Sequence, residues 1–199
     1  ISSNMHSVMN YIFAKQTFEA KGEKLTKIEV FERLRQAENH KDREEITKLA
    51  KQQGMIFLKD QSGTNIDVQI FDLSKVNFSA TYLNHLSAKN DGVIVVMDYA
   101  FGEQAFETMD ELLKPYKNSK KEQKKLNIKS ISIMGKAGIL TGDKGDIMIP
   151  YAHIHEGTTD NYPFENGISV KDFEGEDVNV FDGHMITVLG TSLQNKEVL

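Results

Sequence analysis

The stretch from Ile128 to Tyr162, IKSISIMGKAGILTGDKGDIMIPYAHIHEGTTDNY, constrains this chain more than any other. It opens on a strand-like apolar run, IKSISIMG, and breaks into a loop carrying Gly135, Lys136, Ala137 and Gly138. A second apolar run, Gly145 to Pro150, leads into a segment dense in His, Glu, Thr and Asp. Apolar strands flanking a glycine loop are how α/β proteins bring backbone close to a ligand at the end of a sheet. The sequence upstream reads as support for this region.

That upstream sequence changes period at Gly54. Before it, apolar residues recur three to four apart, the mark of amphipathic helices. Val8, Met9, Ile12 and Phe13 predict a helix from His6 to about Lys21. Ile28, Phe31 and Leu34 predict a second from Thr26 to Ala37, with Thr26 and Glu29 spaced as a capping box. Ile46, Leu49 and Ala50 predict a third from Asp42 to Gln53, stopped by Gly54. Residues 1–53 therefore read as a helical appendage, and 54–199 as an α/β domain.

After Gly54, Met55–Leu58 and the alternating Ile66–Phe71 predict a hairpin. Residues 79–88 predict a short helix. Val93–Met97, five apolar residues in a row, predict a central strand covered on both faces. Gly102 then opens a helix from Gln104 to Lys114, stopped by Pro115. Strand, helix and strand in this order predict that Val93–Met97 and Ile128–Met134 are parallel neighbours. Gly102 and Gly135 would then share one ligand-facing edge. Further on, Val178, Val180 and Phe181 predict a short strand ended by Asp182-Gly183, and Met185–Leu189 another.

Composition narrows the functional classes. A net charge of −5 argues against a dedicated nucleic-acid surface. The absence of cysteine excludes disulfides, thiolate zinc sites and a Cys nucleophile, and fits a cytoplasmic location. No membrane span or leader is visible. The first residue is Ile1 and the last, Leu199, follows a strand-like run, which is read as part of a longer product. His153 and His155 point the same way on a strand, but no third ligand stands at motif spacing, so no metal is expected.

MGKAGILTGDKGDIMIP resembles the glycine-loop-then-GD-strand signature of the nucleoside phosphorylase and nucleosidase superfamily. The matching positions are Gly135, Ala137, Gly138, Gly145-Asp146 and Pro150. The resemblance is closest to the AMP nucleosidase-like branch, through Gly135-Lys136 and through Glu156-Gly157-Thr158 followed by Tyr162. Upstream, MDYAFGEQAFETMDELL is similar to its strand–glycine-turn–helix, and Thr187–Thr191 to a later strand. Coverage runs from about Val93 to Leu199. Ile139 and Glu103 depart from the pattern.

The resemblance implies a three-layer fold around a mixed, largely parallel twisted sheet, incomplete at its C-terminus. It implies cleavage of a purine nucleoside or nucleotide N-glycosidic bond, with phosphate as a co-substrate in a phosphorylase and no other cofactor. The ligand would be held by Gly102, Gly135, Lys136, Ala137, Gly138, His155, Glu156, Thr158, Tyr162 and Thr191. Lys136 would meet a phosphate and the loop backbone would floor the ribose and base. The family's Met-Glu ribose pair and its acid for the base would fall downstream of Leu199, leaving this segment alone inactive. A homo-oligomer is implied, with no nucleic-acid or membrane partner. The alternative is a nucleotide-sensing or scaffold domain of the same fold without catalysis, and a third reading is assembly driven by the N-terminal helices.

Overall fold

The computed structural model describes residues 1, 3–85, 91–100, 102–138, 141–176 and 178–187. Helices and strands both contribute, so the protein is mixed α/β, in two compact units, Ile1–Gly135 and Lys136–Leu199. The boundary falls at the glycine loop rather than near residue 53, because the helices share their core with the strands that follow them.

Three helices open the first unit: α1 (Met5–Ala20), α2 (Lys27–Arg35) and α3 (His40–Gln52). The expected capping box forms at α2. Thr26 accepts from the Glu29 amide, and the Thr26 amide donates to the Glu29 carboxylate at 2.7 Å. Met9, Ile12, Phe13 and Phe18 of α1 bury against Val30, Leu34 and Ile46 from the other two helices. Phe13 also stacks on Phe71, with ring centroids 6.1 Å apart, and so ties the helices to a sheet.

That sheet consists of β1 (Met55–Leu58), β2 (Val68–Asp72) and β3 (Val93–Met97), in this order and antiparallel throughout. The β1–β2 hairpin matches its sequence pattern, with β2 starting two residues later than expected. β3 does not have the expected neighbour. One edge pairs with β2. Along the other, Met97 N–H donates to the Ile1 carbonyl, and Ser3 N–H donates to the Met97 carbonyl. Together with a bond from the Ile1 amine to the Val95 carbonyl, this is the slanted pattern of a parallel ladder. A strand has two hydrogen-bonding edges, so none remains for Ile128–Met134. Those residues run as exposed chain with only an isolated bridge at Ile133, and the predicted parallel β3 pairing is overturned.

Nor is β3 covered on both faces. Met55, Gln69, Phe71 and Val96 face the helices and are buried. On the other face Ile56, Leu58 and Val93 are 50–58% exposed, while Val68, Ile70, Val95 and Met97 are half-buried. Instead of a helix at 79–88 the chain makes a 3-10 turn at Phe78–Ala80; residues 86–88 lie outside the described residues. α4 (Glu103–Leu113) follows Gly102, and a small hairpin, β4 (Tyr116–Lys117) and β5 (Gln123–Lys124), occupies the lysine-rich run.

The second unit is a three-stranded sheet in the order β7–β6–β8, from β6 (Ile147–His155), β7 (Asn161–Pro163) and β8 (Val180–Thr187). β7 is antiparallel to β6, while β8 is parallel to it. The predicted break at Asp182-Gly183 does not occur, because β8 runs through both residues alongside β6. Leu189 lies outside the described residues. Among the described residues of this unit only Ile149 and Ala152 are buried apolar side chains.

One ion cluster fastens the helices. Asp42, its side chain 8% exposed, accepts from Lys21 Nζ and Arg33 Nε, both at 2.7 Å. Burial opposes its charge, but the bonds from Lys21 and Arg33 outweigh that, and its pKa is held below the ordinary value. Replacing Asp42 by Ala should cost about 2 kcal/mol at neutral pH, the scale of hydrogen bonds to charged groups. A depressed native pKa makes this contribution present above the unfolded value of 3.8 and lost as pH falls through the native one. Urea unfolding of both proteins should therefore show a gap at pH 7 that narrows at pH 3; a constant gap would assign the effect to packing.

Candidate functional site

β6 and β8 are in parallel register, His155 beside Thr187, so both strands end together. In parallel sheets this carboxyl end is where ligands bind, because the loops leaving it diverge and open a crevice. Side-chain alternation and register put His153, His155, Met185 and Thr187 on one face of the sheet, with Tyr162 of β7 paired to His153. His153 Nε2 lies 2.7 Å from Thr187 Oγ1, which ties the two strands together by their side chains.

The turn after β6 is fixed by its own backbone. Glu156 N–H donates to the Thr187 carbonyl at 3.0 Å, and Thr158 N–H to the His155 carbonyl at 3.1 Å. Gly157 N–H donates to His155 Nδ1 at 3.2 Å. An Nδ1 that accepts leaves the proton of the neutral ring on Nε2, so His155 presents a donor outward. Asp160 N–H donates to Thr158 Oγ1. A hydrogen bond to the Asp160 carboxylate, with its charge, pushes the Tyr162 hydroxyl pKa up. The outcome is a polar edge of imidazole, hydroxyl and carboxylate groups. It is suited to hydrogen-bonding a polyhydroxylated ligand.

Four of the sequence-predicted residues, His155, Glu156, Thr158 and Tyr162, are thus brought together. The others are not joined to them. Lys136, Ala137 and Gly138 are exposed chain in the same unit, with no hydrogen bond to that edge among the described residues. Gly102 and Gly135 belong to the first unit. Gly102 caps α4 with φ +55°, a conformation that favours glycine, and Glu103 follows in the first turn. Thr191 lies outside the described residues, as does Ile139. Among the described residues no group of three His, Cys, Asp or Glu is placed to hold a metal.

The loop glycines also behave differently from expectation. Gly135 and Gly138 have ordinary φ, and a Cβ on either would meet nothing within 4 Å. The close approach occurs instead at Gly142, with φ +114°, where a Cβ would stand 2.7 Å from Asp146 Oδ2 and 2.8 Å from the Phe181 ring. Asp146 needs that space: its Oδ2 accepts from Asp143 N–H at 2.7 Å and its Oδ1 from Asn179 at 3.1 Å, which pins the starts of β6 and β8 together. Two further residues, His153 and Thr187, were missing from the predicted ligand set. Spacing alone marked His153 as facing the same way as His155, but only the β6–β8 register reveals Thr187 beside them.

The chain belongs to a family described as a family of unknown function (DUF6909), whose model matches residues 28–199. No curated protein and no solved structure matches it.

Gly142→Ala should destabilise the second unit by about 1–3 kcal/mol, from backbone strain and the collision with Asp146. Gly138→Ala should stay within about 0.5 kcal/mol of the parent. Amide exchange in β6 and β8 checks this pair, and a larger effect from Gly138→Ala would contradict the placement of the strained turn.

Proposed function

We propose that this chain carries part of the ligand site of an enzyme that cleaves the N-glycosidic bond of purine nucleosides or nucleotides. The observation that supports it is the polar edge at the shared carboxyl end of β6 and β8, the position at which α/β sheets hold ligands. The same residues carry the resemblance of Glu156-Gly157-Thr158 and Tyr162 to the AMP nucleosidase-like branch. On this reading β6 and β8 begin the parallel part of a phosphorylase-like sheet, and the antiparallel β1–β3 sheet lies outside it.

N-glycosidic cleavage passes through an oxocarbenium-like sugar and needs the departing base protonated or otherwise held. His155 Nε2–H, Thr158 and Glu156 would bind ribose hydroxyls, and Lys136 a phosphate. His153 and Thr187 would keep the two strands in register beneath the sugar. The ligand is then a small molecule rather than a nucleic acid. A cysteine-free chain suits a cytoplasmic setting, and among the described residues no helix is long and apolar enough to cross a membrane.

Loss of catalysis with retained binding is favoured as a second reading by Glu103. This carboxylate in the first turn of α4 opposes an anion at that helix end. Both readings meet one assay. The full-length protein is incubated with AMP, adenosine and inosine, with and without phosphate, and free base is quantified by chromatography. Base release is expected, with Lys136→Ala weakening AMP about tenfold, the scale of one lost charge-assisted contact, and adenosine little. Thermal stabilisation by AMP without release would favour the sensing domain. Neither release nor stabilisation would overturn both.

A further inference from the structure

The second unit carries a chemical site that does not depend on the nucleotide reading. Asn166-Gly167 is the single Asn-Gly pair of the chain. It lies shortly after β7, in exposed chain outside any helix or strand. There the β7 register against β6 continues by one residue, since Phe164 N–H donates to the Tyr151 carbonyl at 3.0 Å. Beside it, the Pro150 carbonyl accepts from Asn166 Nδ2. Two bonds thus dock residues 164–166 onto β6, one from the backbone and one from a side chain. They fall where the β6–β8 register shifts, between Pro150 and Ala152.

The reacting groups of an Asn-Gly pair are the glycine backbone nitrogen and the asparagine Cγ, which close a five-membered ring. Glycine hinders that approach least, because it has no Cβ. Here the Gly167 amide makes no hydrogen bond among the described residues. A Cβ on Gly167 would meet nothing within 4 Å, and its φ lies outside the left-handed region. The fold therefore does not call for glycine at this position, and a larger residue fits without strain. Asn118, followed by Ser119, is the natural contrast. Its Oδ1 accepts from the Lys120 and Glu122 amides, and its Nδ2 donates to the Glu122 carboxylate. Those bonds hold both ends of its amide, whereas Asn166 is tied through Nδ2 alone among the described residues.

We infer that Asn166-Gly167 is a site of spontaneous deamidation, and that the reaction undocks residues 164–166 from β6. The Gly167 nitrogen gives its proton to solvent base and bonds to Asn166 Cγ. The Cγ–Nδ2 bond breaks, and Nδ2 takes up a proton and leaves as ammonia. Water then opens the imide at either carbonyl, giving aspartate or isoaspartate. One water is consumed and one ammonia released, with no change of oxidation state. Either product replaces the amide by a carboxylate, which only accepts hydrogen bonds. The Pro150 carbonyl is an acceptor too, so the tie from residue 166 is lost. Isoaspartate also lengthens the backbone by one methylene and shifts the chain that follows.

Peptide mapping by mass spectrometry of the full chain, aged in buffer at pH 8, tests this. Asn166 should gain the mass difference of –OH over –NH2 before the other asparagines. A carboxyl methyltransferase selective for isoaspartate should label the same peptide. Gly167→Ala should slow the conversion about tenfold or more, because the added Cβ shields the attacking nitrogen. Asn166→Asp, which installs one product from the outset, should speed amide exchange at Phe164 about fivefold, the worth of one hydrogen bond. Exchange in α1–α3 should not change. Conversion of Asn166 no faster than that of Asn118, or equally fast in Gly167→Ala, overturns the deamidation site. Unchanged exchange at Phe164 in Asn166→Asp overturns the undocking.

Discussion

β3 has only two hydrogen-bonding edges, and both are taken. β2 occupies one in an antiparallel ladder, and the backbone at Ile1 and Ser3 occupies the other. Ladder groups are satisfied pairwise, so this occupancy closes the β3 side of the first sheet before the chain reaches α4. The consequence runs through the rest of the molecule. Ile128–Met134 cannot pair with β3, and Phe13, Phe18 and Phe71 hold one helix layer on one sheet layer. Between assigned strands among the described residues, parallel pairing is found at β6 and β8, in the second unit.

The consequences for function follow from that separation. A parallel pair ending in register concentrates loops, and here those loops bring His155, Glu156, Thr158 and Tyr162 together. Asp146, held in the space that Gly142 leaves, fixes the opposite end of the same pair. One end is thus locked by a carboxylate and the other left polar. With Ile149 and Ala152 as its buried apolar residues among those described, this unit relies on backbone ladders and polar ties more than on a core.

Local order was legible in the sequence; partner choice was not. The capping box at Thr26 and Glu29, the β1–β2 hairpin and the common direction of His153 and His155 depend on residues close together along the chain, and periodicity reveals them. The neighbour of β3 depends on residues more than ninety positions away, and no local pattern encodes it. The apolar run Val93–Met97 reads as a strand buried on both faces, yet one face stays open, because a run of β-branched residues satisfies an open face as readily as a covered one. Glycine composition misled in the same way. Gly135 and Gly138 look like the tight loop, while the strained backbone sits at Gly142, whose need for space comes from Asp146 and Phe181 in the fold. Thr187 was invisible as a site residue until the parallel register placed it beside His155.

The central claim is that the carboxyl end of β6 and β8 holds the ligand. Backbone amide shifts recorded during addition of AMP to the isotopically labelled protein test it most directly. The account predicts shifts concentrated at His153 to Thr158, Tyr162 and Thr187, with α1–α3 unmoved. Saturable shifts confined to the first unit, or none at all, would contradict it.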